Sequence, residues 1–256
     1  RKREGRYDSQ TGAITEVKQY TSSATSLTYT IDWDERGNIK TLISPTGKKV
    51  RYRYQDGIYP VKITEEGSTG GTPYESTLLW DSALGVKLEE TDSAGNTMKY
   101  RYDGFGRVIE VQSPYDDTAG TPCAKYEYHT PSSSFWYTVT ANKLTTEATD
   151  TAVMKTVVMH DGLGRALYTA KEGEVYREGT AGETNVGWNI SGATHYDEAG
   201  RKIKEGMPFF YAGDLPAELA SKASYASVEQ FYETNDFTAL RNETAYTYDG
   251  IDRVIN

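Results

Sequence analysis

Apolar and polar residues alternate with period two along much of this chain. Val86 and Leu88 alternate with Lys87 and Glu89, and Met98, Tyr100 and Tyr102 with Lys99 and Arg101. Ile109 and Val111 alternate with Glu110 and Gln112, and Tyr52 and Tyr54 with Arg51 and Arg53. Side chains that change face at every residue belong to strands with one apolar and one polar side. The runs are short. Gly37 and Gly47, then Gly85, Gly95 and Gly106, lie ten or eleven residues apart and punctuate them. The pattern predicts a mainly β chain, an antiparallel meander of short strands joined by tight turns. Residues 1–112 read as one meander and 113–256 as a second β segment with longer insertions, either as two domains or as one continuous domain. Strands over 7–66 meet at Asp8–Gly12, Asp34–Gly37 and Ser44–Gly47. Residues 67–73, 113–122 and 172–192 read as loops, the last with Trp188 as its one anchor. Further strands are expected at 125–128, 135–141 and 155–160. Asp214-Leu215-Pro216 and the capping-box pattern at Ser227–Gln230 predict a short helical insertion near 215–233.

The turns share a motif: an aromatic residue, Asp, two variable residues, Gly, then Arg or Asn. Trp33-Asp34-Glu35-Arg36-Gly37-Asn38, Tyr102-Asp103-Gly104-Phe105-Gly106-Arg107, His160-Asp161-Gly162-Leu163-Gly164-Arg165 and Tyr196-Asp197-Glu198-Ala199-Gly200-Arg201 are full copies. Asp92 to Gly95 lacks the aromatic, and Tyr248-Asp249-Gly250-Ile251-Asp252-Arg253 has Asp252 in the Gly place. Asp followed three residues later by Gly marks a type I turn closed by a left-handed residue, a common hairpin connection. Each copy is therefore expected at a hairpin tip, with Arg stacking on the aromatic that precedes its own turn. The 249–252 tip, lacking Gly, is expected to be the loosest or differently turned.

Composition narrows the picture. Leu, Ile, Val and Phe make up only 43 of the 256 residues, but 21 Tyr and 4 Trp supply broad, flat, half-buried surface. This implies a sheet protein with a thin core or two exposed faces. The net charge of −9 with both signs interspersed gives no basic stripe for nucleic acid. The single Cys123 excludes an intramolecular disulfide. No apolar run is long enough to span a membrane. Because the chain stops just after a tip turns back, it is expected to be a piece of a longer repeat array.

Catalytic chemistry finds little support. Gly104-x-Gly106 and Gly162-x-Gly164 lack the third Gly of a dinucleotide fingerprint. Asp32-x-Asp34-x-x-Gly37 begins like a calcium loop, but Ile43 stands where the bidentate Glu belongs. His129, His160 and His195 show no metal-ligand spacing. Glu65-Glu66 and Glu89-Glu90 point to opposite faces. No metal, cofactor or catalytic residue is expected. A sugar-stacking surface is disfavoured too, since no polar cluster surrounds any one aromatic in the sequence.

The copies at 102–109, 160–165 and 196–201 resemble the tyrosine–aspartate repeats of the RHS family. That family includes bacterial polymorphic toxins, the B and C components of insecticidal toxin complexes, and teneurins. The resemblance implies a β-sheet spiralling into a hollow shell, in a large secreted or cell-surface protein. Its partners would be flanking repeats and a C-terminal effector domain of the same polypeptide. The irregular spacing of the copies and the insertion near 215–233 depart from the family pattern. The family's self-cleaving aspartyl motif is not recognisable. The expected function is a non-catalytic segment of a shell that encapsulates or presents an effector. The alternative is an adhesion module binding a protein or glycan at a cell surface.

Overall fold

The computed structural model describes residues 2–116, 121–130, 135–145, 151–176, 184–212, 214–215 and 243–255. The chain divides into two compact units, Arg1–Pro114 and Tyr115–Asn256. Sixteen strands are meander strands, ten in the first unit and six in the second.

The first unit holds β1 (Arg3–Tyr7), β2 (Ile14–Tyr20), β3 (Ser26–Trp33), β4 (Ile39–Ile43), β5 (Lys49–Gln55), β6 (Tyr59–Glu66), β7 (Tyr74–Asp81), β8 (Val86–Thr91), β9 (Thr97–Tyr102) and β10 (Val108–Gln112). They pair antiparallel in chain order. Among the described residues β1 pairs only with β2, so this sheet does not close into a barrel. The register sorts the side chains by face. Ile31 opposes Leu42 and Leu42 opposes Val50; Tyr52 opposes Ile63; Tyr100 opposes Val111. On the other face Thr41 opposes Arg51, Arg51 opposes Thr64, Thr64 opposes Glu75, and Glu89 opposes Lys99. One face is thus largely apolar. The other is polar and carries ion pairs such as Lys62–Glu75 at 2.8 Å and Arg101–Glu110 at 3.2 Å. Exposed pairs of this kind contribute only ~0.2–1 kcal/mol each. No described residue of the unit is fully buried, so its apolar face has no second layer within the unit.

The second unit repeats the meander with β11 (Ala124–His129), β12 (Phe135–Lys143), β13 (Val153–Asp161), β14 (Ala166–Tyr176), β15 (Thr184–Ser191) and β18 (Phe209–Tyr211). A small sheet of β16 (Thr194–Tyr196), β17 (Lys202–Glu205) and β19 (Thr244–Ala245) accompanies it. Here the apolar face is sealed. Val139 opposes Val157, Val157 opposes Ala170, Ala170 opposes Ile190, and Ile190 opposes Phe209. Tyr137, Met159 and Tyr168 form a parallel row, at most 1 % exposed. Ala193 and Leu215 complete this core, with Tyr196 packed against it. Lys143 and Asp116 form a buried ion pair, 3.1 Å apart with side chains 2 % exposed, and Asp116 also accepts the Cys123 N–H.

Two expectations meet the structure differently. Where described, residues 172–192 are not a loop: β14 runs to Tyr176 and pairs antiparallel with β15, Thr184–Ser191, with Trp188 in the core, while 177–183 lie outside the described residues. The Gly content misled because Gly187 has a packing role. A Cβ there would lie 2.3 Å from the Tyr211 carbonyl oxygen of β18. The helical insertion near 215–233 lies outside the described residues except Asp214 and Leu215 at its start.

The unequal cores predict unequal mutational costs. Met159→Ala should cost ~2–5 kcal/mol, since it empties a sealed site. Leu88→Ala, on the half-covered face, should cost about 1 kcal/mol by lost burial alone. Urea denaturation of both variants measures this, and equal costs would contradict the description of the first unit as single-layered.

Candidate functional site

The hairpin tips are the most organised polar sites in the molecule. At Asp34 the peptide N–H donates to the Asn38 carbonyl (2.8 Å), and the Gly37 N–H donates back to the Asp34 carbonyl (3.1 Å). The carboxylate accepts the N–H groups of Arg36 (2.9 Å) and Asn38 (2.8 Å), and its second oxygen accepts the Asn38 side-chain amide (3.0 Å). Asp92 makes the same set with Ala94 and Asn96. At Asp103, Asp161, Asp197 and Asp249 the side-chain donor is the Nε of Arg107 (2.7 Å), Arg165 (2.5 Å), Arg201 (2.7 Å) and Arg253 (2.7 Å). Gly37, Gly95, Gly106, Gly164 and Gly200 all have φ between 78° and 88°, the left-handed region.

These bonds hold the carboxyls below the usual carboxylate range. For Asp34 and Asp92 the Asn side chain acts first and its N–H second. For Asp249 the Arg253 N–H leads. Burial pushes Asp103 and Asp161 the other way, and the Arg N–H groups outweigh it.

The arginine reading is corrected. Arg165 and Arg201 do not stack on the aromatics of their own turns. Each clasps its own Asp and lies over the aromatic of the next copy, Arg165 4.4 Å from the Tyr196 ring and Arg201 4.9 Å from the Tyr248 ring. The aromatic in turn reaches back to the main chain that leaves the previous tip. Tyr248 donates its hydroxyl to the Lys202 carbonyl (2.6 Å), and Tyr196 to that of Ala166 (3.4 Å). In the first unit Trp33 donates to Ile14 (2.7 Å), Tyr54 to Ile39 (3.0 Å), Trp80 to Pro60 (2.8 Å) and Tyr102 to Lys87 (2.7 Å). All four precede turns on one edge of that sheet. The turns at Ser44 and Asp92 lie on the other edge, which explains why Asp92 has no aromatic before it.

The tip at 249–252 is corrected as well. Its hydrogen bonds match the other tips, and Asp252 itself adopts the left-handed conformation with φ 63°. The Asp252 carboxylate pairs with Arg201 at 2.6 Å, which a Gly could not do.

Tyr54 and Trp80 were not singled out from sequence, because their turns depart from the spacing. Asp56-Gly57, with φ 54° and 68°, forms a two-residue turn, and Asp81 is answered by Gly85 one residue late. The Asp-Gly pair between alternating runs was the available signal.

The histidines are not gathered into one site. His160 stacks on Trp136 at 3.9 Å and His129 on Tyr137 at 4.6 Å. Trp136 and Tyr137 are consecutive in β12, so the two imidazoles lie on opposite faces. Among the described residues no cluster of His, Cys, Asp or Glu could hold a metal ion, and no helix is long and apolar enough to cross a membrane.

Because folded-state values of the tip carboxyls are lowered, their contribution is present above the unfolded value near ~3.9. It is lost as pH falls through the lowered folded values. Urea midpoints should therefore drop as pH falls below about 4. Asp103→Asn and Asp249→Asn should flatten that drop; an unchanged profile in both would rule out the tips as its source. Tyr102→Phe, which removes only the hydroxyl clasp, should cost ~0.5–1.5 kcal/mol at neutral pH.

No protein-family model matches the chain, and no curated protein sequence does. Solved structures do. A crystal structure of TcdB2-TccC3-TEV matches over 93 % of this chain with TM-score 0.61 and 13 % identity. One of TcdB2-TccC3-Cdc42 matches over 99 % with TM-score 0.61 and 12 % identity. The Tc holotoxin pore of Photorhabdus luminescens matches over 94 % with TM-score 0.61 and 12 % identity. This chain spans only 15–16 % of the length of those chains. It shares with these toxin-complex chains the fold of a stretch of antiparallel β meander.

Proposed function

We propose that this chain is a non-catalytic, RHS-type wall segment of a β shell. The whole protein would be secreted or surface-bound, and the shell would enclose or present an effector polypeptide. The observation that carries the reading is the first unit's sheet. One face is apolar and uncovered within the unit, and the other is polar and laced with ion pairs. A free single-layer sheet exposes too much apolar surface to remain soluble alone. A wall facing an enclosed polypeptide on one side and water on the other uses both faces. The fold shared with toxin-complex chains supports the same reading. The clasped tips fit it too, since they join neighbouring hairpins without needing a thick core.

Accessibility in the complete parent protein tests this. In a Cys123→Ser background, Lys99→Cys on the polar face should react readily with a maleimide carrying a bulky polymer. Tyr100→Cys on the apolar face should react only after denaturation. Equal labelling of both in the native protein would refute an inward-facing apolar wall.

A further inference from the structure

The two edges of the first unit's sheet differ in a way that turn chemistry does not require. The turns after β1, β3, β5, β7 and β9 lie on one edge, and those after β2, β4, β6 and β8 on the other. The second edge is built from small or polar residues, such as Ser22-Ser23, Pro45-Thr46, Ser68-Thr69 and Ser93-Ala94. The first edge carries Ile58 (65 % exposed), Leu84 (46 %) and Phe105 (88 %) in three successive turns. Phe105 stands just before the left-handed Gly of its turn, the place that Thr46 and Ala94 take on the other edge. The Arg107 guanidinium lies 5.4 Å from its ring and still leaves it exposed. A turn of this kind accepts a small or polar residue there, so the apolar side chains serve something other than the turn. Exposed apolar residues that recur along one edge mark an interaction surface.

These turns are neighbours. A Cβ on Gly57 would run into the Arg36 side chain, one on Gly85 would sit 3.4 Å from the Tyr59 hydroxyl, and one on Gly106 3.8 Å from Val86. Turns two strands apart set the three apolar side chains in a row at intervals of about 9.5 Å. The same edge is acidic. Asp8, Asp34, Glu35, Asp56, Asp81 and Asp103 stand in or at its turns against Arg36 and Arg107, an excess of four negative charges. Turn hydrogen bonds keep Asp8, Asp34 and Asp103 ionised. The Glu35 and Asp56 carboxylates make no hydrogen bond or ion pair in the structure. Lys40 and Lys87, on strands leaving these turns, are each paired with a carboxylate, Asp32 and Glu90. Arg6 and Arg53 belong to the polar face, opposite Glu16 and Lys62.

A partner suited to this edge has apolar side chains about 9.5 Å apart with cations beside them. An α-helix lying along the edge meets that requirement, since seven residues advance about 10.5 Å and bring the same face round again. An extended strand does not, because its same-face residues recur every ~6.7 Å. We infer that this edge is a docking surface for a basic amphipathic helix of a partner polypeptide. Ile58, Leu84 and Phe105 receive its apolar face, and Glu35, Asp56 and Asp81 the Lys or Arg residues flanking it. The edge lies at the strand ends, so its chemistry is the same whichever face of the sheet turns inward.

Fluorescence anisotropy of the complete parent protein with a labelled three-heptad helix of Leu, Ala and Lys tests this. Two control peptides carry Glu for Lys, or Ser for Leu. The basic amphipathic peptide should bind in the micromolar range and weaken as salt rises, with both controls at least ~10-fold weaker. Leu84→Ser combined with Phe105→Ser should weaken binding by ~10-fold or more. Glu35→Gln combined with Asp56→Asn should weaken it by ~3-fold or more and flatten its salt dependence. Ala94→Ser, on the opposite edge, should change nothing. Thermal melts check that each variant folds; if the Leu84 and Phe105 pair does not, Phe105→Ser alone decides. Absence of basic-peptide binding at ~1 mM would overturn the inference. So would binding unaffected by the Leu84 and Phe105 substitutions, or equal binding of the Ser-for-Leu peptide. Self-association, or attachment to neutral lipid vesicles, that these substitutions abolish without any peptide binding would assign the edge to a second copy or to a membrane instead.

Discussion

The turn aspartate is the constraint on which this molecule depends. A hairpin tip leaves several peptide N–H groups aimed at one point with no strand partner. One carboxylate collects two of them, and its second oxygen takes the side chain four residues on. The chain reversal is thereby fixed in length, and so is the residue that begins the next strand. Register follows, because a slip of one residue would exchange the apolar and polar faces. In the first unit, where no described residue is fully buried, burial alone would specify register weakly. The tips supply that specification at both edges.

The same carboxylate organises contacts between tips. By holding the Arg side chain at Nε, it leaves the guanidinium plane free to lie over the next aromatic. That aromatic spends its own polar atom on the main chain behind it. The copies at Asp161 and Asp197 thus reach forward to the next one, and Trp33, Tyr54, Trp80, Tyr102, Tyr196 and Tyr248 reach back to the main chain leaving the tip before. A sheet assembled this way gains stability from neighbour to neighbour, as repeat proteins do. It can afford a face with no second layer. The second unit adds a conventional sealed core to the same device, around Tyr137, Met159 and Ile190.

The likeness to toxin-complex chains fits this economy. In the first unit the strand ends are hydrogen-bonded at the tips, and the two faces of the sheet differ chemically.

Much of this was legible in the sequence. Period-two alternation and the Asp-x-x-Gly turns determined the strands at Val86–Thr91, Thr97–Tyr102 and Val108–Gln112, because side-chain direction and turn hydrogen bonding are local properties. Local chemistry also identified the aspartates as turn-forming residues. What sequence left open was long-range. Whether Arg201 meets its own aromatic or Tyr248, 47 positions later, depends on which strands lie side by side. Asp252 looked like a defect until Arg201 was brought beside it. Gly187 read as a loop residue because the strand that presses on it, β18, comes more than twenty residues later. Turns and alternation follow from the chain's nearest neighbours; partners across the sheet are set only when the strands are laid in register.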